Sequence, residues 1–88
     1  MIWTVEFDDA AAKELRKLDK NTQQEILRYF RERIAIKEDP LRFGKPLSHN
    51  LPGLWRYRVR DYLIICTIEE DKLVVLVLRV GHRKDVYK

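Results

Sequence analysis

The sequence predicts an α+β domain in which two N-terminal helices pack on one face of a single antiparallel sheet. Two stretches of the first half carry apolar residues at helical spacing, whereas the second half contains three runs rich in β-branched and aromatic residues. A similar run precedes the helices, so the predicted order is β-α-α-β-β-β. The short connections between the last three strands favour antiparallel hairpins.

The first half is predicted to hold one strand and two helices. Residues 2–7 have strand composition, and Asp8 offers an N-cap for a first helix. Thr22 and Glu25 resemble a capping box, which predicts that the second helix begins there and ends before Pro40.

The second half is predicted to form three strands after a loop. The prolines and glycines of residues 37–53 are too closely spaced for regular structure, and strands follow over residues 54–59, 62–68 and 73–80. A turn at Arg60-Asp61 would require a positive φ at Arg60. The pairing of the first strand stays open.

Size and composition indicate one soluble domain over residues 1–88. No run approaches the roughly 18 apolar residues of a membrane span, so we expect a cytoplasmic protein without a membrane partner. Cys66 is the one cysteine and lies in an apolar run, which predicts a buried hydrophobic residue. No Cys/His set has metal-ligand spacing, so we expect neither a metal nor a cofactor.

Positive charge is concentrated in the second half of the chain. Residues 1–40 contain eight Lys/Arg and nine Asp/Glu, whereas residues 41–88 contain ten and five. Net charges of −1 and +5 indicate an anionic partner of the second half, either nucleic acid or an acidic protein segment.

The strand at residues 54–59 predicts a basic surface. Alternation places Trp55 and Tyr57 on one face and Arg56, Arg58 and Arg60 on the other. Three like charges about 7 Å apart repel one another and favour a bound anion, although a solvated face is the alternative.

The chain ends in a second group of charged and aromatic residues after Gly81. Cations, a residue type that titrates near neutral pH and an aromatic ring all fall within the last eight positions, which suits a phosphate clamp with a stacking ring. The alternative is a frayed polar tail. The candidate residues around this end are Arg79, His82, Arg83, Lys84 and Tyr87.

The order of elements and several segments resemble the RelE branch of the RelE/ParE toxin superfamily. The resemblance covers nearly the whole chain and is carried by the residues at 5–8 and 15–18, by Leu51-Pro52-Gly53-Leu54-Trp55-Arg56-Tyr57-Arg58-Val59, and by the stretch from Leu78 to Tyr87.

The resemblance implies a toxin that enters the ribosomal A site and cleaves mRNA by driving the ribose 2′-hydroxyl onto the adjacent phosphate. It also implies that Arg56, Arg58 and Arg83 are active-site cations and that Tyr87 stacks on a base. Arg60, Arg79 and Lys84 are expected to bind RNA. A cognate antitoxin, mRNA and the ribosome are the implied partners, in a heteromeric toxin–antitoxin complex.

The sequence departs from the family pattern at the active site. The family commonly has lysines where Arg56 and Arg58 stand, and an arginine accepts a proton poorly, so these two are expected to act electrostatically. The family also commonly has an arginine where this chain has Leu63, which predicts attenuated cleavage. His82 is the candidate general base by residue type.

Two other functions stay open at the level of sequence. ParE-like relatives of the same fold inhibit DNA gyrase by binding and lack nuclease chemistry, and fold alone does not separate the two activities. A third possibility is a module that binds RNA or the ribosome without cleavage.

Overall fold

The computed structural model describes residues 2–47 and 53–86. These residues form a mixed α+β fold, which confirms the predicted class. The elements in chain order are β1 (Thr4–Phe7), α1 (Asp9–Arg16), α2 (Lys20–Tyr29), a π turn (Phe30–Ile34), a 3-10 turn (Pro40–Arg42), β2 (Lys45–Pro46), β3 (Leu54–Val59), β4 (Tyr62–Glu69), β5 (Val74–His82) and α3 (Arg83–Val86).

The five strands form one sheet in the order β1-β5-β4-β3-β2. The strands β3, β4 and β5 are antiparallel as predicted, whereas β1 pairs in parallel with β5 and makes the sheet mixed. The two parallel strands are far apart in the chain, because both helices and the strands β2, β3 and β4 lie between β1 and β5. The two-residue strand β2 was not predicted.

The core lies between the helices and one face of the sheet. Ala11 and Leu15 of α1 and Ile26 of α2 are buried in one apolar cluster with residues of β5, including Val75 and Val77. Half-buried aromatic rings close the rim of this core, so the helices are fixed over the sheet by apolar packing.

The start of the second helix differs from the predicted capping box. The N-cap is Asp19, whose side chain accepts hydrogen bonds from the Thr22 backbone N–H at 3.2 Å and the Thr22 hydroxyl at 2.6 Å. The aspartate lies at the correct position to satisfy the first turn, so α2 begins one turn earlier than predicted. The N-cap of α1 is Asp8, as predicted.

The β3–β4 hairpin has the predicted register. Arg58 pairs with Leu63 and Arg56 pairs with Ile65. The turn at Arg60 has a φ of 56°, which is the left-handed conformation that this tight turn requires. Tyr57 is fully buried toward the helices, and its hydroxyl donates to the carbonyl oxygen of Pro40 at 2.8 Å.

Two further sequence expectations concern Cys66 and membrane spans. Cys66 is fully buried, and burial raises the pKa of its thiol, so the residue is an apolar core group as predicted. Among residues 2–47 and 53–86, no helix has both the length and the apolar character needed to cross a bilayer.

Candidate functional site

A cleft of about 380 Å³ lies beside β3 at the edge of the sheet. Its described lining combines cations with aromatic and aliphatic groups and contains no carboxylate, so the cleft suits an anion that also carries an apolar part. The lining residues are Tyr29, Phe43, Gly44, Lys45, Arg56, Arg58, Leu63 and Arg83.

The hairpin turn holds the side chain of Arg58 in the cleft. The Nε of Arg58 donates to the carbonyl oxygen of Arg60 at 2.6 Å, and a terminal nitrogen donates to Oδ1 of Asp61 at 3.4 Å. The turn that requires a strained φ at Arg60 therefore also supplies the acceptors that orient Arg58.

The same turn positions Arg83 at the start of α3. The backbone N–H of Arg83 donates to the carbonyl oxygen of Asp61 at 2.8 Å, and its guanidinium lies 3.9 Å from the Asp61 carboxylate. Two predicted active-site arginines thus meet around one turn.

 Arg58 and Arg83 are separated by 24 residues in the sequence, and the pairing of β4 with β5 brings these two arginines together.

Lys45 is a cation of the cleft that sequence reasoning missed. It lies in β2, opposite Arg56 in the register. The adjoining Gly44 has a φ of 76°, and a Cβ there would collide with the carbonyl oxygen of Arg56. Gly44 was the sequence signal that could have indicated this contact, because a glycine is required where two backbone segments approach so closely.

Arg60 and Arg79 are not among the residues that line the cleft, and their expected contact with RNA stays a prediction. The alternation of β3 ends at the turn, and the Arg60 guanidinium turns to Glu25 of α2 at 2.6 Å. Arg79 pairs with Ile65 in the register, and its guanidinium reaches Glu14 of α1 at 3.2 Å.

His82 lies on the face opposite the cleft arginines. It pairs with Tyr62 in the register, and their rings meet edge to face with centroids 5.6 Å apart. Its Nδ1 accepts the backbone N–H of Lys84 at 3.2 Å. The predicted general base is therefore not in the cleft, because His82 lies opposite Tyr62 in the register and alternation places that pair on the other face from Arg58 and Leu63.

The last two candidates from the C-terminal end are Lys84 and Tyr87. Lys84 is exposed on α3 and is not among the residues that line the cleft. Tyr87 lies outside the described residues. Tyr29 and Phe43 are aromatic lining residues that the sequence analysis did not select, and burial raises the pKa of the Tyr29 hydroxyl, so the phenol stays protonated.

Comparison with known protein sequences identifies a toxin family. Residues 5–87 match the family described as ParE toxin of the type II toxin–antitoxin system parDE. Toxin RelG of Mycobacterium tuberculosis is 33% identical, over all of this chain and 99% of that protein. The mRNA interferase toxin RelE of Escherichia coli is 26% identical, over 96% of this chain and 86% of that protein.

Solved structures show the same fold. The toxin–antitoxin complex RelBE2 of M. tuberculosis contains a chain with a TM-score of 0.83 and 30% identity, covering 94% of this chain and 93% of that one. The isolated E. coli RelE toxin has a TM-score of 0.72 and 25% identity, covering 97% and 90%. The chain therefore belongs to the RelE/ParE superfamily of toxins of type II toxin–antitoxin systems.

Proposed function

We propose that the chain is a cytoplasmic endoribonuclease that cleaves mRNA on the ribosome without a metal. The observation that carries the proposal is the meeting of Arg56, Arg58, Arg83 and Lys45 around one cleft whose described lining has no carboxylate. The names of relatives support this activity, because one is an mRNA interferase.

The proposed reaction is attack of the ribose 2′-oxygen on the adjacent phosphorus, with cleavage of the bond to the 5′-oxygen. The phosphorane gains negative charge, and Arg56 and Arg58 would stabilise that charge from fixed positions. Arg83 would stabilise the leaving 5′-oxygen, which takes up a proton from solvent water to form a 5′-hydroxyl end. The products are that end and a cyclic phosphate.

The 2′-hydroxyl proton also needs an acceptor. The described lining of the cleft contains no histidine or carboxylate for this step. Lys45 belongs to the residue type that exchanges a proton more readily than arginine does, and it lies opposite Arg56. We therefore assign proton exchange to Lys45 and charge stabilisation to the three arginines.

Leu63 would make this cleft bind the phosphate more weakly than the cleft of relatives that have an arginine at this position. Its side chain is only 4% exposed and lies beside Arg58 in the register. An apolar group at this position supplies no ligand for the phosphate, so the proposed cleavage is attenuated.

The test is to incubate the protein with translating ribosomes and map the ends of the mRNA. New 5′-hydroxyl ends within A-site codons are expected. Intact mRNA after prolonged incubation would refute the nuclease.

Gyrase inhibition is the second candidate, because the matching family is described as ParE toxin. Gyrase-dependent DNA breaks, measured beside the mRNA ends, separate the two activities. A ribosome-binding toxin homologue without catalysis is a third outcome, and it would give neither kind of break.

The proposed partner is an antitoxin with an acidic or apolar segment that covers the basic cleft. Charge complementarity favours such a segment, and the solved RelBE2 relative is a toxin–antitoxin complex. Co-expression of this chain with its neighbouring gene product, followed by co-purification, tests the heteromeric complex.

A further inference from the structure

We propose that Tyr29 and Phe43 form a nucleobase subsite in the cleft. One nucleotide of a single-stranded RNA would bind with its phosphate on the cations and its base against these two rings. This inference rests on the proposed function, since it takes RNA as the ligand of the cleft.

The two rings form an aromatic corner next to the cations. Their centroids are 6.4 Å apart and their planes meet at 68°. Both residues line the same cleft as Arg56 and Arg58, and its volume of about 380 Å³ falls in the range of small-ligand pockets. Stacking on aromatic side chains combined with cations along the backbone is the usual way in which proteins hold single strands.

The loop that carries Phe43 is fixed to β3 rather than free. The indole Nε1 of Trp55 donates to the carbonyl oxygen of Phe43 at 2.8 Å, and the Tyr57 hydroxyl donates to Pro40 at the start of the loop. Gly44 allows the loop backbone to lie directly against β3. The ring of Phe43 is thus preorganised, which lowers the entropy cost of binding a base.

Two more arginines stack on the same rings. The Arg33 guanidinium lies 5.2 Å from the centroid of Tyr29 and 5.8 Å from that of Phe43, and Arg42 lies 5.0 Å from that of Phe43. Neither arginine is among the residues that line the cleft. They add positive charge around the aromatic corner, which favours a flat group attached to phosphate.

Core packing alone does not require an aromatic ring to open on a basic cleft. Phe7 is a matched case of packing, because it is also half-buried and meets Phe30 edge to face with centroids 6.2 Å apart. Phe7 lies on β1, at the opposite edge of the sheet from β2 and away from the cleft cations. The same substitution at Phe7 and Phe43 therefore separates packing from base binding.

The test measures, by fluorescence anisotropy at low salt, the binding of a dye-labelled tetranucleotide. Its sugars are 2′-deoxy, so that it lacks the attacking 2′-hydroxyl and cannot be cleaved. A second tetranucleotide carries an abasic site in place of one base. Both are titrated in a Tyr87→Ala background, so that the C-terminal ring makes no contribution. The intact ligand should bind roughly 5- to 100-fold more tightly than the abasic one.

The variants assign this base preference to the rings. Phe43→Leu and Tyr29→Leu should each reduce the preference several-fold, whereas Tyr29→Phe and Phe7→Leu should retain it. Thermal unfolding identifies any variant that has lost its fold, and quenching of 2-aminopurine placed in the tetranucleotide reports stacking without a substitution at either ring.

Equal affinity for the two ligands, including no binding of either, would overturn the subsite, as would a preference that survives both leucine variants. Cleavage on ribosomes together with equal affinities would remove the subsite and leave the proposed function standing. A base preference in a protein that leaves mRNA intact on ribosomes would support the subsite and refute the proposed nuclease.

Discussion

Arg58 and Arg60 provide a matched test of the candidate site. They lie two residues apart on one hairpin, and both side chains are largely exposed, at 57% and 74%. Arg58 lines the cleft, whereas Arg60 pairs with Glu25 on the helical side. We expect Arg58→Ala to slow mRNA cleavage and Arg60→Ala to have little effect.

The expected loss for Arg58→Ala follows from the charge it places beside the phosphate. Two unit charges about 4 Å apart interact by about 4 kcal/mol in a partly exposed site. Removal of one fixed donor to a transition-state oxyanion costs a similar amount, about 10²- to 10³-fold in rate. The fold should survive, because the Arg58–Asp61 ion pair is exposed and contributes at most about 1 kcal/mol.

The assay is single-turnover cleavage of mRNA on programmed ribosomes, with thermal unfolding measured on each variant. Arg60→Ala should stay within about threefold of the parent rate, as expected of a surface substitution. Equal losses in the two variants would refute the assignment, because the reasoning depends on which arginine faces the cleft.

Three other substitutions test single steps of the structure. Leu63→Arg should raise cleavage on ribosomes, because it adds a cation beside Arg58, and an unchanged rate would contradict the proposed attenuation. His82→Asn should leave the cleavage rate within about twofold, since the side chain lies on the opposite face and asparagine can still accept the Lys84 N–H; a large loss would restore the histidine as a base. Gly44→Ala should lower the free energy of unfolding by more than about 1 kcal/mol in denaturant titrations, while Gly53→Ala, also at positive φ but with open space around an added Cβ, should cost less. Similar losses at the two glycines would contradict the close approach of the loop.

The sequence predicted the parts of the fold that depend on periodicity. Alternation along β3 placed Tyr57 in the core and Arg58 on the other face, and the turn at Arg60 set the hairpin register. It did not predict the parallel pairing of β1, because this pairing joins the first strand to the last one and no local sequence pattern specifies such a distant partner.

Two of the candidate arginines contact helix carboxylates that strand alternation does not reveal. Arg60 is in a turn, where alternation ends, and pairs with Glu25, whereas Arg79 lies opposite Ile65 in the register and pairs with Glu14. Lys45 was missed because a two-residue strand has no periodicity to detect. The basic character of the second half is divided in the folded protein: Arg60 and Arg79 pair with helix carboxylates, whereas Arg56, Arg58 and Arg83 meet Lys45 around a cleft whose described lining contains none. We expect this division, rather than the net charge, to direct a phosphate to the cleft.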